Sequence, residues 1–222
     1  MTQRWRRVLR AGAVAGLVAT VLRPRGAVPE LWRRTNFRGE SVDLREGPQA
    51  AAAVLAGIGA AEMPPRQKAG ALVAVGSAAG AGLLDDLVGT TSIKGLRGHL
   101  SALASGRVTT GSAKILLIGA GALGASALFT DPTPSAPSTS PVPSPRRARR
   151  CGEILLDAGV IALAAHVVNL VDLRPGRAIK AAGVPATFLS ARAGAPGAVA
   201  TAALGASGVI VRDDLAERTM LG

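Results

Sequence analysis

Residues 69–86 read AGALVAVGSAAGAGLLDD, a run of small and apolar residues that ends on Asp85 and Asp86. Ser77 is the one polar side chain before the acids. In water such a run is a poor helix, because each Gly costs about 1 kcal/mol relative to Ala. In a bilayer Gly is common, because small residues let helices approach closely. The stretch therefore predicts a membrane helix that stops at a pair of carboxylates.

Six further segments share this character: 8–22, 48–61, 113–129, 154–170, 178–191 and 195–211. Charges are almost confined to the joints between them. The expected fold is an all-α, polytopic helical bundle of about seven apolar segments, placed as a multi-pass protein of the cell membrane. It forms one domain over 1–222, with a Pro/Ser-rich flexible loop at about 131–150 (DPTPSAPSTSPVPSP, then Arg146, Arg147, Arg149 and Arg150). Several segments fall short of the ~20 residues of a comfortable span, so the competing reading is a soluble, Ala-rich protein with buried helices. The first segment follows Arg4, Arg6, Arg7 and Arg10 and has the outline of a signal peptide. Arg23-Pro24-Arg25 stands where a small-x-small cleavage site belongs, so 8–22 is read as a membrane helix with snorkelling arginines. Residues 23–47 are a polar loop holding Trp32 and Phe37.

Composition agrees. The chain carries 26 Lys and Arg against 14 Asp and Glu, a net +12, yet 48% of it is apolar and its mean hydropathy is +0.33. It is basic in the loops and apolar on average. Aromatics are 2% with no Tyr. Single-strand nucleic-acid surfaces stack bases on aromatic rings, so no nucleic-acid partner is expected. Cations flanking apolar segments explain the charge better. One cysteine, Cys151, excludes an internal disulfide framework and a Cys-based zinc cluster. Two histidines, His99 and His166, exclude a His-rich metal site. If the 85–112 loop is cytoplasmic, 15 of the 26 cations lie inside, a weak bias of the expected sign, with Arg146–Arg150 on the opposite side.

Three features could carry chemistry. Asp85 and Asp86 sit at the C-terminal end of a helix, where the dipole favours cations. An acid at membrane depth costs ~2.5–3.5 kcal/mol on insertion scales, and a bound divalent cation would offset that. Mg²⁺ takes one or two carboxylates together with water and phosphate oxygens. The plainer reading is two solvated acids past a helix end. Next, His166, Asn169 and Asp172 recur every third residue on one helix face, running toward the side that holds Asp85 and Asp86. For His166 alone, helix packing is the favoured reading. Last, Lys94, Arg97, Arg107 and Lys114 share a Gly-rich loop that includes Thr109-Thr110-Gly111, and Arg174, Arg177 and Lys180 follow Asp172. Glycines and cations in one loop can cradle a pyrophosphate, although basic Gly-rich loops are common.

Asp-Asp after an apolar helix, a Gly-rich basic loop with Thr-Thr-Gly, and then Asn169-x-x-Asp172 resemble the polyprenyl-phosphate sugar-1-phosphate transferases. These include the phospho-N-acetylmuramoyl-pentapeptide and N-acetylglucosamine-1-phosphate transferases, members of glycosyltransferase family 4. Asn36-Phe37-Arg38-Gly39 with Gly47-Pro48 is similar to that family's early segment, so the resemblance covers about residues 30–222. It implies an all-helical membrane enzyme that uses Mg²⁺ to move a sugar phosphate from a UDP-sugar to a polyprenyl phosphate, releasing UMP. By that resemblance Asp85 and Asp86 are the catalytic acidic pair, and Asp172 with Asp86 would hold the metal. Asn169 is matched to the Asn-x-x-Asp-Gly-x-Asp-Gly motif and Lys114 to a Lys-x-x-x-Gln motif. Asn169, Lys94, Arg97, Lys114 and Arg177 are then the substrate-binding set.

The departures are specific. Leu173 and Pro175 replace a Gly and an Asp of the long motif, Ile118 replaces the Gln, and Gly89 stands where a Lys is expected. Met220-Leu221-Gly222 resembles the start of a Met-Gly-Asp-x-Gly segment, and the family's His-rich loop is absent. A divergent or truncated member is expected. The alternative is a catalytically degenerate membrane homologue that binds the lipid carrier or a protein partner.

Overall fold

A computed structural model describes residues 3–35, 39–88, 96–130, 145–172 and 174–216. Each of the seven apolar segments is a helix: α1 (Gln3–Val21), α2 (Glu46–Ala60), α3 (Pro65–Val88), α5 (Thr110–Phe129), α6 (Pro145–Val171), α7 (Arg177–Ser190) and α8 (Ala195–Leu215). A short helix, α4 (Leu96–Ala104), a 3₁₀ turn (Glu30–Trp32) and an antiparallel hairpin of β1 (Arg33–Thr35) and β2 (Ser41–Asp43) complete the described elements. Four helices are long and apolar enough to cross a membrane: α3, α5, the Ala148–Val171 part of α6, and α8. The remaining three are shorter. The apolar part of α1 is Val8–Val21, while α2 has 15 residues and α7 has 14.

Side-chain size is distributed as a bilayer would have it. The core is built of small residues: Ala11, Ala15, Ala19, Ala53, Ala202 and Ala206 are all buried. The large apolar residues face outward, with Leu156 72% exposed, Val160 67% and Phe188 75%. A protein folding in water buries such side chains first, whereas hydrocarbon solvates them at no cost. This inverted distribution disfavours the soluble Ala-rich reading.

Two seams of small residues hold the bundle. In the first, α1 and α8 run parallel, with Gly12 against Thr201 and Gly16 against Gly205. A Cβ at Gly12 would lie 2.8 Å from the Thr201 carbonyl oxygen, so only glycine permits this approach. The Thr201 hydroxyl donates to the Val8 carbonyl at 2.8 Å and fixes the register. Helix α2 lies antiparallel on both: Gly57 meets Ala11 and Ala202, and the Gln49 side-chain amide donates to the Ala19 carbonyl at 2.6 Å. In the second seam α3 and α5 are antiparallel, with Gly70 against Phe129, Val73 against Gly124, Ser77 against Gly121 and Gly80 against Leu117. The same register, continued one turn further, sets Asp85 opposite Lys114.

Arginines tie the elements together at both ends of the bundle. Arg23, just after α1, pairs with Asp213 at the end of α8, and Arg34 of β1 reaches the Asp86 carbonyl. At the other end Arg66 donates to the carbonyls of Ala127 and Thr130, and Arg10 pairs with Glu62. Two expectations about loops change. Residues 145–150 are not part of a flexible loop: Pro145 opens α6, a position where its fixed φ and missing N–H are tolerated. Residues 131–144 lie outside the described residues. The described part of the Gly-rich loop is also largely helical, since α4 occupies 96–104 and Thr109 caps α5, while 89–95 lie outside the described residues.

Candidate functional site

The site grows from the start of α5. Thr109 and Ser112 form a capping box, with Thr109 Oγ1 accepting from the Ser112 amide at 3.1 Å and Ser112 Oγ from the Thr109 amide at 2.8 Å. Thr109 is therefore committed to capping the start of α5. That cap sets Lys114 in the second turn of α5, facing the last turn of α3 and the end of α6. Lys114 Nζ donates to Asn169 Oδ1 at 2.8 Å and lies 3.3 Å from Asp85 Oδ2. One ammonium thus joins three helices. Its side chain is 18% exposed, against 46% for Asp85, so the pair is screened by solvent on one side only.

Asp85 and Asp86 lie within the last turn of α3, which runs to Val88, and not beyond a helix end. Asp86 is half-buried, and its carbonyl accepts from the Arg34 guanidinium. A cation thereby covers the negative end of α3, as its dipole requires. The hairpin bringing Arg34 is fixed by buried Val42 and Leu44 and by Arg45, which grips Asp43 at 2.8–3.0 Å.

Asp172 follows α6, half-buried, and its carboxylate is near enough to Asp86 for its charge to be felt there. Burial pushes the Asp172 carboxyl up to about 6, and the neighbouring Asp214 carboxylate adds to the rise. Asp214 is 4% exposed and accepts from the Gly176 amide at 2.6 Å. Gly176 is left-handed (φ 75°) and precedes the first residue of α7, so Asp214 fastens α8 to the α6–α7 turn.

Of the residues expected from sequence, Asp85, Asn169 and Lys114 are in contact, with Asp86 and Asp172 beside them. Arg97 is exposed on α4, and Arg177 is exposed at the start of α7. Neither is brought to Lys114 by a hydrogen bond or ion pair recorded among the described residues. Lys94 lies outside the described residues. His166 is exposed on α6 and is not the packing histidine that was favoured. Sequence reasoning missed Arg34, Asp213 and Asp214. The second Asp-Asp at the end of an apolar helix was a signal for the latter two, whereas an Arg-rich polar loop gives none for Arg34.

Among the described residues no three His, Cys, Asp or Glu side chains form a group able to hold a metal ion by themselves. Mg²⁺ held by one or two carboxylates, with the remaining positions filled by water and substrate phosphate, needs no such group. Asp86 and Asp172 fit that sparser demand.

Comparison of the chain with models of known families, with curated proteins and with solved structures finds no match in any of the three.

Proposed function

We propose that the chain is a multi-pass membrane transferase that moves an N-acetylhexosamine-1-phosphate from a UDP-sugar to a polyprenyl phosphate, as cell-envelope glycan synthesis requires. The observation that carries this reading is the Lys114 bridge. Three positions on which the family resemblance rests, separated by up to 84 residues, meet at one end of the bundle through a single side chain. In this reading a lipid-phosphate oxygen attacks the sugar-bearing phosphorus of the UDP-sugar. The new P–O bond forms as the bond to the bridging oxygen breaks, and UMP leaves.

Bound Mg²⁺ would supply charge neutralisation at the pyrophosphate, with Asp86 and Asp172 as its protein ligands. Lys114 stands ready to turn from Asp85 to a phosphate oxygen, which would leave Asp85 as the acceptor for a lipid-phosphate proton. Asn169 would orient Lys114. Arg97, Arg177 and Lys94 would serve as outer phosphate contacts. The proposal includes all seven apolar segments as membrane-embedded, the shorter α1, α2 and α7 being helped by snorkelling cations. The chain then stays with the membrane pellet after alkaline carbonate washing, and recovery in the supernatant would contradict it.

A second reading is favoured by Pro175, which stands where the family has an Asp, and by the sparse carboxylate set among the described residues. In it the chain is a degenerate homologue that binds lipid phosphate without turnover. The test is release of UMP from UDP-N-acetylglucosamine with undecaprenyl phosphate in detergent. The transferase reading predicts Mg²⁺-dependent release, below the ordinary ~1–10³ per second, that Lys114→Met lowers by about 10²-fold. Retained lipid-phosphate binding with no UMP released would establish the second reading instead.

A further inference from the structure

At the end of the bundle opposite Lys114 lies a cavity of about 500 Å³. Gln67 and Ala71 of α3, Phe129 of α5, Leu189 of α7, and Pro196 and Ala203 of α8 are among the residues that line it. It separates the α3–α5 seam from the α7–α8 pair. Its size is that of a small-molecule site, ~300–1,000 Å³, and it opens to the outside of the bundle.

The chemistry of the walls decides what fills it. Gln67 is the one polar side chain in the lining. A buried water needs two to four polar partners, and apolar cavities stay dry, so water is a poor occupant. The space begins at Ala195, at the mouth of the bundle, and ends at Ala203, a depth of about 12 Å along α8 at 1.5 Å per residue. One leaflet of a ~30 Å hydrocarbon core is about that deep. Cations stand at the mouth. The Arg66 guanidinium lies on the carbonyls of Ala127 and Thr130, either side of Phe129. Arg192 is exposed between Leu189 and Ala195. A hydrocarbon tail below an anionic head matches both the walls and the mouth.

We propose that this cavity holds one acyl chain of an anionic phospholipid drawn from the leaflet opposite the acidic end, with its phosphate at Arg66 and Arg192. The site is separate from the Lys114 cluster and does not depend on transferase activity. The experiment places the full chain in phosphatidylglycerol vesicles containing a phosphatidylglycerol with a photoreactive group in mid-chain. Label is expected on the α7 and α8 residues that line the cavity. Ala203→Trp, which fills the space, should cut that label several-fold, and Ala182→Leu should do so more weakly. Leu163→Trp, on the exposed face of α6, should leave it unchanged. Cavity labelling unaltered in both the Ala203 and Ala182 variants would overturn the site. With phosphatidylcholine as host and probe the label should fall, and equal labelling would overturn the assignment of an anionic head.

Discussion

The chain ends two of its apolar helices on the same dipeptide, Asp85-Asp86 at the close of α3 and Asp213-Asp214 at the close of α8. Both pairs lie at the same end of the bundle, yet their surroundings differ. Asp213 takes the Arg23 guanidinium through both oxygens at 2.7 and 2.9 Å, tying α8 to the chain that leaves α1. Asp214 is buried on the Gly176 amide. Asp85 is nearly half exposed and shares Lys114 with Asn169, while Asp86 lies half-buried beside Asp172. One pair is committed to joining helices. The other leaves Asp85 nearly half exposed at a three-helix junction. A motif of two acids therefore has no fixed meaning, and the partners brought by the fold decide whether it staples helices or stays open to solvent.

The largest expected effect tests the stapling half. Asp214→Ala leaves the Gly176 amide buried without its acceptor and removes the anion before α7, which should cost about 2–3 kcal/mol. Thermal unfolding in detergent should show a clearly lowered midpoint, and an unchanged one would remove the distinction between the pairs.

A smaller effect concerns pH. The Asp172 carboxyl titrates near 6 in the folded chain, above its ordinary 3.8. Protonation therefore favours the folded state: the stabilisation is complete below about pH 4 and is lost as pH rises through about 6. In the absence of Mg²⁺, Asp172→Asn should raise the midpoint at pH 7.5 and do so much less at pH 4.5. A gain that is equal at both pH values would show that this carboxyl is not perturbed.

The smallest belongs to the more exposed pair. A double-mutant cycle between Lys114→Met and Asp85→Asn should give a stability coupling of at most about 1 kcal/mol, since Asp85 is well solvated. A coupling as large as the Asp214 effect would make Lys114 a staple too.

Much of the fold was legible because a bilayer constrains it strongly. Apolar runs must be helices, and all seven were located: five to within about four residues of their observed bounds, while α1 and α6 begin five and nine residues before the expected starts because their first turns are Arg-rich. Helix α4 was missed because its glycine and polar residues read as loop, and the hairpin because Arg33-Arg34-Thr35 has no apolar alternation. Partner choice was not legible, since Ala and Gly recur at four-residue spacing in several helices. The close approach of Gly12 to Thr201 and of Gly16 to Gly205, with the Thr201–Val8 hydrogen bond, singles out α1 with α8. At the site, Asp85, Asn169 and Lys114 were legible as residue types in order along the chain. Their contact was not, because it follows from the α3–α5 register.

The most direct measurement of the central claim is thermal unfolding in detergent with and without saturating Mg²⁺ and UDP-N-acetylglucosamine. A ligand that binds only the folded state stabilises it by about 2.7 kcal/mol at a hundredfold excess over Kd. The expected result is a raised midpoint for the native chain and for Asp213→Asn, and none for Asp86→Asn. A shift that survives Asp86→Asn, or one that Asp213→Asn abolishes instead, would contradict the assignment of Asp85 and Asp86 as the functional pair.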